Sequence, residues 1–444
     1  MLLYNLLSVP AFLIYLPFLL LKRGPESRLA FLRERLGVSS CKKTDIWVHA
    51  VSVGEVIACM PFLKMLKKEF PEKRIVLSTT TYTGQKVARE RFPEADRIMY
   101  IPLDIWFCVR RAAASLNPRI FITIETELWP ALFYALKRKG CRIIILNGRI
   151  SNRSFKGYKR LSSFMKKVLA CVDFLYMQGK SDAERIRSIG ADKFKVGVMG
   201  NFKFDISFDG SGHPDWLEDV KGRILLAAST HKGEEEIILN AYESIRQDYP
   251  DLKLILAPRH PERFSEVEEL IRKRGLGYIK RSMMQNTEYR TQSTDEISPN
   301  PSFSKRGTIN PPFEKGGQGG ILADIILLDT IGELSRVFSK ADVAFVGGSL
   351  VPVGGHNILE PAYWARPIIF GPHMENFPFA EDFLNSSAAV QVGDANEIIT
   401  TVKDLLKDND KAARMGQNAK AILENNSGAV KKAIELVRGF IGTA

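Results

Sequence analysis

The sequence FVGGSLVPVGGHNILEP occupies Phe345–Pro361 and begins with the last two residues of the apolar run Ala341–Val346. Two glycine pairs separate this run from a helix-like segment that carries Glu360. Glycine lets a backbone approach a ligand closely, and the first turn of a helix offers unpaired N–H groups to phosphate. A carboxylate one turn into such a helix can accept hydrogen bonds from ribose hydroxyls. The alternative is a glycine-rich turn that binds nothing. This segment alone does not distinguish the two interpretations, so the rest of the chain is needed.

Strand-like runs alternate with amphipathic helical stretches on both sides of this segment. In the first half, Ile46–Ala50 and Ile120–Ile124 are apolar runs, and Val56–Glu69 is one of the helical stretches between them. The alternation restarts at Arg223–Ala228 and reaches Pro367–Phe370. This alternation predicts parallel sheets covered by helices on both faces. We therefore expect an α/β protein with two Rossmann-like, doubly wound domains that face each other across a cleft.

Length and local composition predict the domain limits. The chain has 444 residues, more than the roughly 250–300 residues that a single core usually supports. We expect an N-terminal domain over residues 24–205, a linker over 206–221 and a C-terminal domain over 222–444. Residues 285–320 are polar and rich in Ser, Pro, Gly and Asn. Such a composition predicts a disordered insertion in the second domain.

The first residues of the chain predict a membrane anchor, residues 1–23. Leu2–Leu21 is nearly free of charge and is followed at once by a Lys-Arg pair. About 20 residues suffice to cross a bilayer as a helix, and the flanks lack the features of a cleaved signal peptide. The positive charges after the segment predict that the rest of the chain is cytoplasmic. Pro10 and Pro17 leave open a kinked or monotopic insertion, and a helix buried in the protein is the remaining alternative.

The net charge favours an anionic partner. The chain carries 63 Lys and Arg against 50 Asp and Glu, a formal net charge of +13. Nucleic acid, acidic lipid or a phosphorylated or carboxylated substrate would suit that charge. No RNP-like motif or zinc-finger spacing accompanies the basic residues, so we expect no nucleic acid. The 5 cysteines occur singly and the 6 histidines lack ligand spacing, so we expect no metal and no cofactor.

Acidic residues follow two strand-like runs of the first half, where parallel sheets bind ligands. Glu55 follows Ile46–Ala50 through a short glycine-containing turn, a plausible place for a general base. The alternative is a glutamate that only complements the helix dipole. Glu125 and Glu127 follow Ile120–Ile124. Glu125 lies nearer the strand end, and the alternative for the pair is one capping and one solvent-facing carboxylate.

Basic residues and turns follow other strand-like runs. Lys203, just before the predicted linker, could reach a phosphate or a developing charge, or could be a surface lysine. The guanidinium of Pro258–Arg259 suits phosphate or carboxylate, and the turn Ile331–Glu333 can present backbone N–H groups. With the loop Gly347–Glu360, three strand ends converge on a face that suits phosphate and ribose. No D-x-D motif ends a strand, so this arrangement predicts a glycosyltransferase of the two-Rossmann type that needs no metal.

Several of these segments together resemble one family, the 3-deoxy-D-manno-octulosonic acid (Kdo) transferases of lipopolysaccharide synthesis. The resemblance runs nearly from end to end and keeps the order of the motifs. The motifs are HAVSVGE (His49–Glu55), ETELWP (Glu125–Pro130), NGRIS (Asn147–Ser151), GNFKFD (Gly200–Asp205), STHKGEE (Ser229–Glu235), APRHPERF (Ala257–Phe264), DTIGEL (Asp329–Leu334), FVGGSL and GGHNILEP.

The resemblance implies a GT-B type fold and inverting transfer of Kdo from CMP-Kdo to lipid IVA, the tetra-acylated lipid A precursor. It implies that Glu55 is the general base and that Glu125 and Lys203 stabilise the transition state. The first domain would bind the acceptor and the second the donor. The implied CMP contacts are Pro258, Arg259, Ile331, Gly332, Glu333, Asn357, Ile358, Leu359 and Glu360. The implied location is the cytoplasmic side of the inner membrane, whose lipids would be a further partner.

Two other functions fit the residues less well. The first is another nucleotide-sugar enzyme of the same fold, such as an epimerase or a UDP-sugar transferase. An epimerase would need no membrane anchor. The second is a non-catalytic, membrane-tethered nucleotide-sensing module, which would need neither Glu55 nor Glu125.

Overall fold

The computed structural model contains two compact units. The first consists of Met1–Ser207 together with Asn426–Ala444, and the second of Phe208–Asn425. Each unit is built on a seven-stranded sheet in which the paired strands run parallel. The structure describes Tyr4, Pro10 and residues 28–38, 43–206, 212–285 and 323–441.

The first unit has the strand order β3-β2-β1-β4-β5-β6-β7. Its strands are β1 (Ile46–His49), β2 (Ile75–Thr79), β3 (Arg97–Tyr100), β4 (Ile120–Ile124), β5 (Arg142–Gly148), β6 (Phe174–Met177) and β7 (Val196–Val198). Its helices before the second unit are α1 (Arg28–Arg35), α2 (Val53–Glu69), α3 (Tyr82–Arg91), α4 (Trp106–Leu116), α5 (Pro130–Lys137), α6 (Asn152–Arg160), α7 (Ser162–Leu169) and α8 (Lys180–Ile189).

The second unit repeats this plan with the order β10-β11-β9-β8-β12-β13-β14. Its strands are β8 (Ile224–Thr230), β9 (Lys253–Pro258), β10 (Tyr278–Lys280), β11 (Ile325–Leu327), β12 (Val343–Val346), β13 (Ile368–Phe370) and β14 (Val390–Gln391). Its helices are α9 (Glu234–Asp248), α10 (Phe264–Lys273), α11 (Leu334–Val337), α12 (Leu359–Tyr363), α13 (Ala380–Asn385), α14 (Ala395–Lys407) and α15 (Asn409–Asn426). Two parallel α/β units, as predicted, are therefore confirmed.

Continuous apolar runs form the central strands because these strands are covered on both faces. Every residue of β1 and β4 is buried. Trp47 and Phe121 pack edge to face, with ring centroids 4.9 Å apart, on one side of the first sheet. Fully burying a large apolar side chain contributes about 1.5–3 kcal/mol. The sheet is thereby a rigid base from which the loops at its carboxyl edge extend.

The last helix belongs to the first unit, which differs from the predicted C-terminal domain over 222–444. Helix α16 (Ala429–Ile441) packs on α2. Asp205 fixes its start, since the carboxylate accepts hydrogen bonds from the backbone N–H groups of Gly428 and Val430 at 2.5 and 2.9 Å. The apolar stripe of an amphipathic helix predicts that the helix packs on a core, but it does not predict which sheet provides that core. The sequence pattern therefore could not assign α16 to the first unit.

Part of the predicted linker, residues 206–221, is core. Trp216 and Leu217 are buried in the second unit, and the Trp216 Nε1 donates a hydrogen bond to Glu333 Oε2 at 2.8 Å. The Gly, Ser and Pro residues around them are typical of a linker. A tryptophan side chain, however, has a large apolar area that is more favourably buried than left exposed in a linker. The predicted insertion, apart from Gln285, lies outside the described residues.

Most of the predicted membrane anchor also lies outside the described residues. Tyr4 is described: its hydroxyl donates a hydrogen bond to Asp104 Oδ2 at 2.7 Å, and its ring stacks on Phe164 with centroids 5.7 Å apart. In the part of the chain that the structure describes, no helix has the length and apolar character needed to cross a membrane.

Candidate functional site

Glu55 lies in the first turn of α2, directly after β1. Its carboxylate accepts hydrogen bonds from the Val51 N–H at 2.8 Å and the Ser52 hydroxyl at 3.3 Å, while Ser52 caps the helix in return. This reciprocal pattern differs from a standard capping box in that the carboxylate accepts from Val51, the residue before the N-cap Ser52. Glu55 therefore contributes to capping the helix. Burial nevertheless raises the pKa of Glu55 to about 7, helped by the charges of Glu125 and Glu127. A carboxyl with that pKa can accept a proton at neutral pH.

Glu125 lies at the end of β4 in a left-handed conformation, with φ of 57°. Such a conformation is unfavourable for a side chain other than Gly, Asn or Asp and is concentrated at functional sites. Its N–H donates to the Leu146 carbonyl at 2.9 Å, which fixes the turn. The pKa of Glu127 is raised by burial and then by Glu125. The structure therefore groups Glu127 with Glu55 and Glu125, although sequence reasoning had favoured Glu125 alone.

Lys203 joins this carboxylate cluster through the loop that precedes it. Asn147, at the end of β5, accepts a hydrogen bond from the Phe202 N–H at 3.0 Å, and Asn201 accepts one from the Lys203 N–H at 3.0 Å. Burial lowers the pKa of Lys203, Glu125 opposes that change and Arg149 adds to it. The ammonium group is thus poorly solvated and lies within the field of Glu125.

His49, the last residue of β1, was not predicted as a site residue. It is fully buried, and its Nδ1 lies 3.0 Å from both the carbonyl and the hydroxyl of Ser78. Its ring packs edge-on against Trp129 at 5.3 Å. Burial lowers the pKa of His49 to about 3, so the imidazole is neutral. In the sequence, His49 is the first residue of HAVSVGE and Trp129 is the last but one of ETELWP, so both lie in motifs that contain glutamates.

Glu234 is the main feature of the second unit that the sequence did not reveal. This buried carboxylate accepts four backbone hydrogen bonds: from His231 and Gly348 on Oε2, at 2.8 and 2.7 Å, and from Ser349 and Leu350 on Oε1, both at 2.9 Å. The first part of the glycine-rich loop therefore already holds an anion of the protein itself. The expectation that this whole loop is open to phosphate is wrong for Gly348–Leu350.

The second part of the loop, Gly354–Glu360, is shaped differently from the expected helix start. Gly354 and Gly355 have φ of 101° and 75°, and α12 begins only at Leu359 and is five residues long. Asn357 accepts a hydrogen bond from the Leu359 N–H and donates one to Glu360 Oε1, both at 3.1 Å. Left-handed glycines keep these residues in a loop, and Asn357 then orients Glu360.

The other predicted donor contacts lie at the ends of β9 and β11. The Arg259 N–H bonds to the Thr230 carbonyl at 3.0 Å, which ties two neighbouring strand ends together. Ile331 is 81% exposed, which is unusual for a large apolar residue beside a sheet edge. The Glu333 carboxylate accepts hydrogen bonds from Trp216, Arg281 and Thr330. That side chain is therefore engaged within the unit.

Three histidines cluster around the loops after β8, β9 and β12. The Nε2 atoms of His231 and His356 are 2.8 Å apart, and the His260 ring packs edge-on against His231 at 5.2 Å. The described residues contain no group of three or more His, Cys, Asp or Glu side chains arranged to hold a metal. Both units thus place polar groups at the carboxyl edge of their sheets: carboxylates and a lysine in the first, an arginine, imidazoles and loop amides in the second.

Comparisons with known proteins agree with this arrangement. The family model of the 3-deoxy-D-manno-octulosonic acid transferases matches residues 30–206. The 3-deoxy-D-manno-octulosonic acid transferase of Haemophilus influenzae is 32% identical over 94% of this chain and 92% of that protein. The transferase of the same name from Chlamydophila psittaci is 28% identical over 99% of this chain and 96% of that protein.

A solved UDP-N-acetylglucosamine 2-epimerase has a similar fold. It covers 91% of this chain and 98% of its own, with a TM-score of 0.54 and 12% identity. At that identity the likeness concerns the fold alone. The relation to the transferases, in contrast, extends over almost all of both sequences, and the chain therefore belongs to the 3-deoxy-D-manno-octulosonic acid transferase family of glycosyltransferases.

Proposed function

We propose that this protein transfers Kdo from CMP-Kdo to lipid IVA by a single inverting displacement at the cytoplasmic face of the inner membrane. Kdo transfer is the activity of its family, and the family relation supports the CMP-Kdo donor. The lipid acceptor, the residue roles and the location are the proposal. The observation that carries it is Glu55, a half-buried carboxyl at a strand end whose pKa is raised to about 7.

In the proposed step, Glu55 accepts the proton of an acceptor hydroxyl while the hydroxyl oxygen attacks the anomeric carbon of Kdo. The bond from that carbon to the phosphate oxygen breaks, and CMP leaves with the bonding electrons. One base and no enzyme nucleophile are needed, so the configuration inverts. A base whose pKa lies near the working pH transfers the proton most efficiently.

Glu125 and Lys203 are assigned to stabilising the charges that develop during transfer. Burial lowers the pKa of Lys203 because water solvates its ammonium poorly. A poorly solvated cation acts more strongly on a nearby anion than an exposed one does. Glu125 favours the charged form of Lys203, and its strained backbone indicates a conformation kept for function.

On the donor side, Arg259 is assigned to the phosphate of CMP-Kdo. Asn357 and Glu360, which are hydrogen-bonded to each other, are assigned to the ribose hydroxyls. Ile331 offers an exposed apolar surface to the cytosine ring. The Glu333 carboxylate already accepts hydrogen bonds from Trp216, Arg281 and Thr330. Glu333 and Gly332 are therefore assigned to contact CMP through their backbone groups. Pro258, Ile358 and Leu359 would complete the contact.

The membrane location rests on Leu2–Leu21 and on the net charge of +13, which suits anionic lipid. A single crossing with the Lys-Arg pair in the cytoplasm would leave Tyr4 on the opposite side, where it could not reach Asp104. The hydrogen bond between these two residues therefore favours attachment from one side over a single crossing. Cysteines placed at residue 2 and at residue 26 should both react with an impermeant thiol reagent from the cytoplasmic side only.

The direct test is incubation of the purified protein with CMP-Kdo and lipid IVA, followed by mass analysis of the lipid. Addition of one or more Kdo masses is expected, together with release of an equal number of CMP molecules. Binding of CMP without any lipid product would overturn the acceptor assignment. Absence of CMP binding would overturn the assignment of the second unit as the donor site.

A further inference from the structure

The His231–His356 pair is a feature of the second unit that the proposed transfer step does not use. The two Nε2 atoms are 2.8 Å apart, and the rings are nearly parallel, with centroids 5.0 Å apart and an interplanar angle of 11°. A neutral imidazole has one nitrogen that donates and one that accepts. Two nitrogens at this distance therefore share a single hydrogen, so one ring donates and the other accepts.

The surrounding backbone holds the pair at the carboxyl edge of the sheet. His231 follows β8, and His356 lies in the loop after β12. A side chain at Gly348 would place its Cβ 3.0 Å from His356 Cδ2 and 3.4 Å from His231 Cδ2, so both rings pack directly on this loop. Glu234 binds the N–H groups of both His231 and Gly348. The two loops that carry the pair are therefore joined through one buried carboxylate.

Five charged or titratable groups face the pair, and most are already engaged. They are Arg259 and His260 after β9, Arg263 before α10, and Glu234 and Glu235 on α9. Glu235 forms a bidentate ion pair with Arg263 at 2.6 and 3.1 Å, and Glu234 is bound by backbone N–H groups. Glu234 and Glu235 nevertheless raise the pKa of His231. Within the described residues, the Arg259 guanidinium is seen in no ion pair, and after burial its charge is the largest cause that lowers the pKa of His356.

These surroundings keep both histidines neutral when no ligand is present. Burial lowers the pKa of His356 to about 4, with contributions from Arg259, His231 and His260. Burial also lowers the pKa of His231. An anion bound at Arg259 would cancel the repulsion from that guanidinium and would itself favour a cationic imidazole. Binding of an anion and uptake of a proton would then support each other.

We propose that the His231–His356 pair takes up one proton from solvent when a nucleotide phosphate binds beside Arg259, and that the resulting cation helps to hold the phosphate. The proton goes to the ring nitrogen that is the acceptor in the neutral pair, which frees that ring to donate, and no covalent bond changes. This inference rests on the proposed donor site, to which the protonated pair would add a second positive group beside Arg259.

Proton uptake can be measured by calorimetric titration of the full-length protein with CMP at pH 7.5 in buffers of different ionisation enthalpy. For each CMP bound, the wild type should gain at most about one proton more than the His356→Asn variant does. Between pH 7.5 and 8.5 the Kd of the wild type should rise about three- to tenfold, and that of His356→Asn much less. CMP is mainly a dianion over this range, so its own titration affects both proteins equally.

His373→Asn is the matched control, because His373 belongs to the same unit but pairs with Glu375. It should take up as many protons as the wild type. His231→Asn is the second variant, in case His356→Asn does not fold, as thermal unfolding would show. Equal proton uptake by the wild type and a folded pair variant, with CMP bound, would overturn this inference and leave the donor site standing. Absence of CMP binding to the wild type would overturn both.

Discussion

Glu55 and Glu234 occupy similar places in the two units, but their carboxylates accept different numbers and kinds of hydrogen bonds. Each stands in the first turn of the helix that follows the first strand of its unit along the chain, β1 or β8. Glu234 accepts four backbone N–H groups and is fully buried. Glu55 accepts one backbone N–H and one hydroxyl and is only half-buried.

The difference decides which carboxylate can do chemistry. Hydrogen bonds from N–H groups stabilise the charged form of a carboxylate. Four such bonds tie Glu234 to the loop Gly348–Leu350 and to His231, so this side chain shapes the loop. Glu55 has fewer donors, carboxylates for neighbours and a pKa raised to about 7, so it can gain and lose a proton. A glutamate in the first turn of the helix after the first strand is thus held by backbone N–H groups in one unit, whereas in the other it has a pKa that suits proton transfer.

Replacing Glu55 by Gln should produce the largest effect on activity. The amide keeps the shape of the side chain and cannot accept the proton, so kcat for Kdo transfer should fall by about 10²–10⁴-fold. The Kd for CMP should remain within about twofold, because the donor is assigned to the other unit. Glu94→Gln, an exposed glutamate of the first unit, is the matched control and should keep full activity. A Glu55→Gln variant with near-normal kcat would remove the contrast with Glu234.

Replacing Glu234 by Gln should instead damage the second unit. The amide can accept only at its oxygen, and its NH2 group would face N–H donors that the carboxylate now satisfies. Hydrogen bonds to a buried charge contribute about 1.5–3 kcal/mol each, so a loss of about 3 kcal/mol or more is expected. That loss corresponds to a fall in Tm of roughly 6–12 °C, and CMP binding should weaken with it. Glu236→Gln, on the exposed side of the same helical turn, should change neither quantity.

The contrast also shows what the sequence could predict. Strand–turn–helix patterning predicted Glu55 and Glu125 after strand ends, where parallel sheets bind ligands, and Lys203 just before the linker. The structure places Glu55 after β1 and Glu125 after β4, and the roles of all three residues stay predictions. The buried position of Glu234 was not predicted, because a glutamate in the first turn of a helix is normally exposed and interacts with the helix dipole. Only tertiary structure shows that the backbone of a loop more than a hundred residues away surrounds it.

Packing between distant segments explains the other differences. The predicted C-terminal domain over 222–444 included helix α16, which instead covers α2 of the first unit. Both sheets offer an apolar face, so the sequence pattern did not distinguish them. Trp216 was assigned to a linker because the residues beside it are turn-formers, whereas its hydrogen bond to Glu333 is a long-range contact. Glu127 was not predicted as a site residue because Glu125 lies nearer the strand end. The strand ends at Ile124 and the chain turns at Glu125, and the pKa of Glu127 is raised by burial and then by Glu125.

A raised pKa has a consequence for stability that separates Glu55 from an ordinary capping glutamate. The folded state binds the Glu55 proton more tightly than the unfolded state, where the pKa is near 4.5. The folded state therefore loses stability as the pH rises from about 4.5 to 7, and the loss stays constant above that. Glu55→Gln removes this effect, so its Tm relative to the wild type should rise by about 2–6 °C between pH 5 and pH 8. The same comparison for Glu94→Gln should show no change, and a fall for Glu55→Gln would mean that its pKa is not raised.

The smallest effect should come from Glu127, whose charge raises the pKa of Glu55 without being assigned to any step. Transfer requires the deprotonated form of Glu55, so kcat/KM should rise with pH through about 7 and then level off. Glu127→Gln removes one neighbouring negative charge and lowers the pKa of Glu55, which should move this rise to lower pH while the plateau stays near that of the wild type. Kinetics from pH 5 to 9 would show the shift, with Glu94→Gln as the unshifted control. A large loss of plateau activity would instead show that Glu127 takes a direct part in the reaction. Glu55 would then not be the single base, and the carboxylates of the first unit would act as a joint catalytic group.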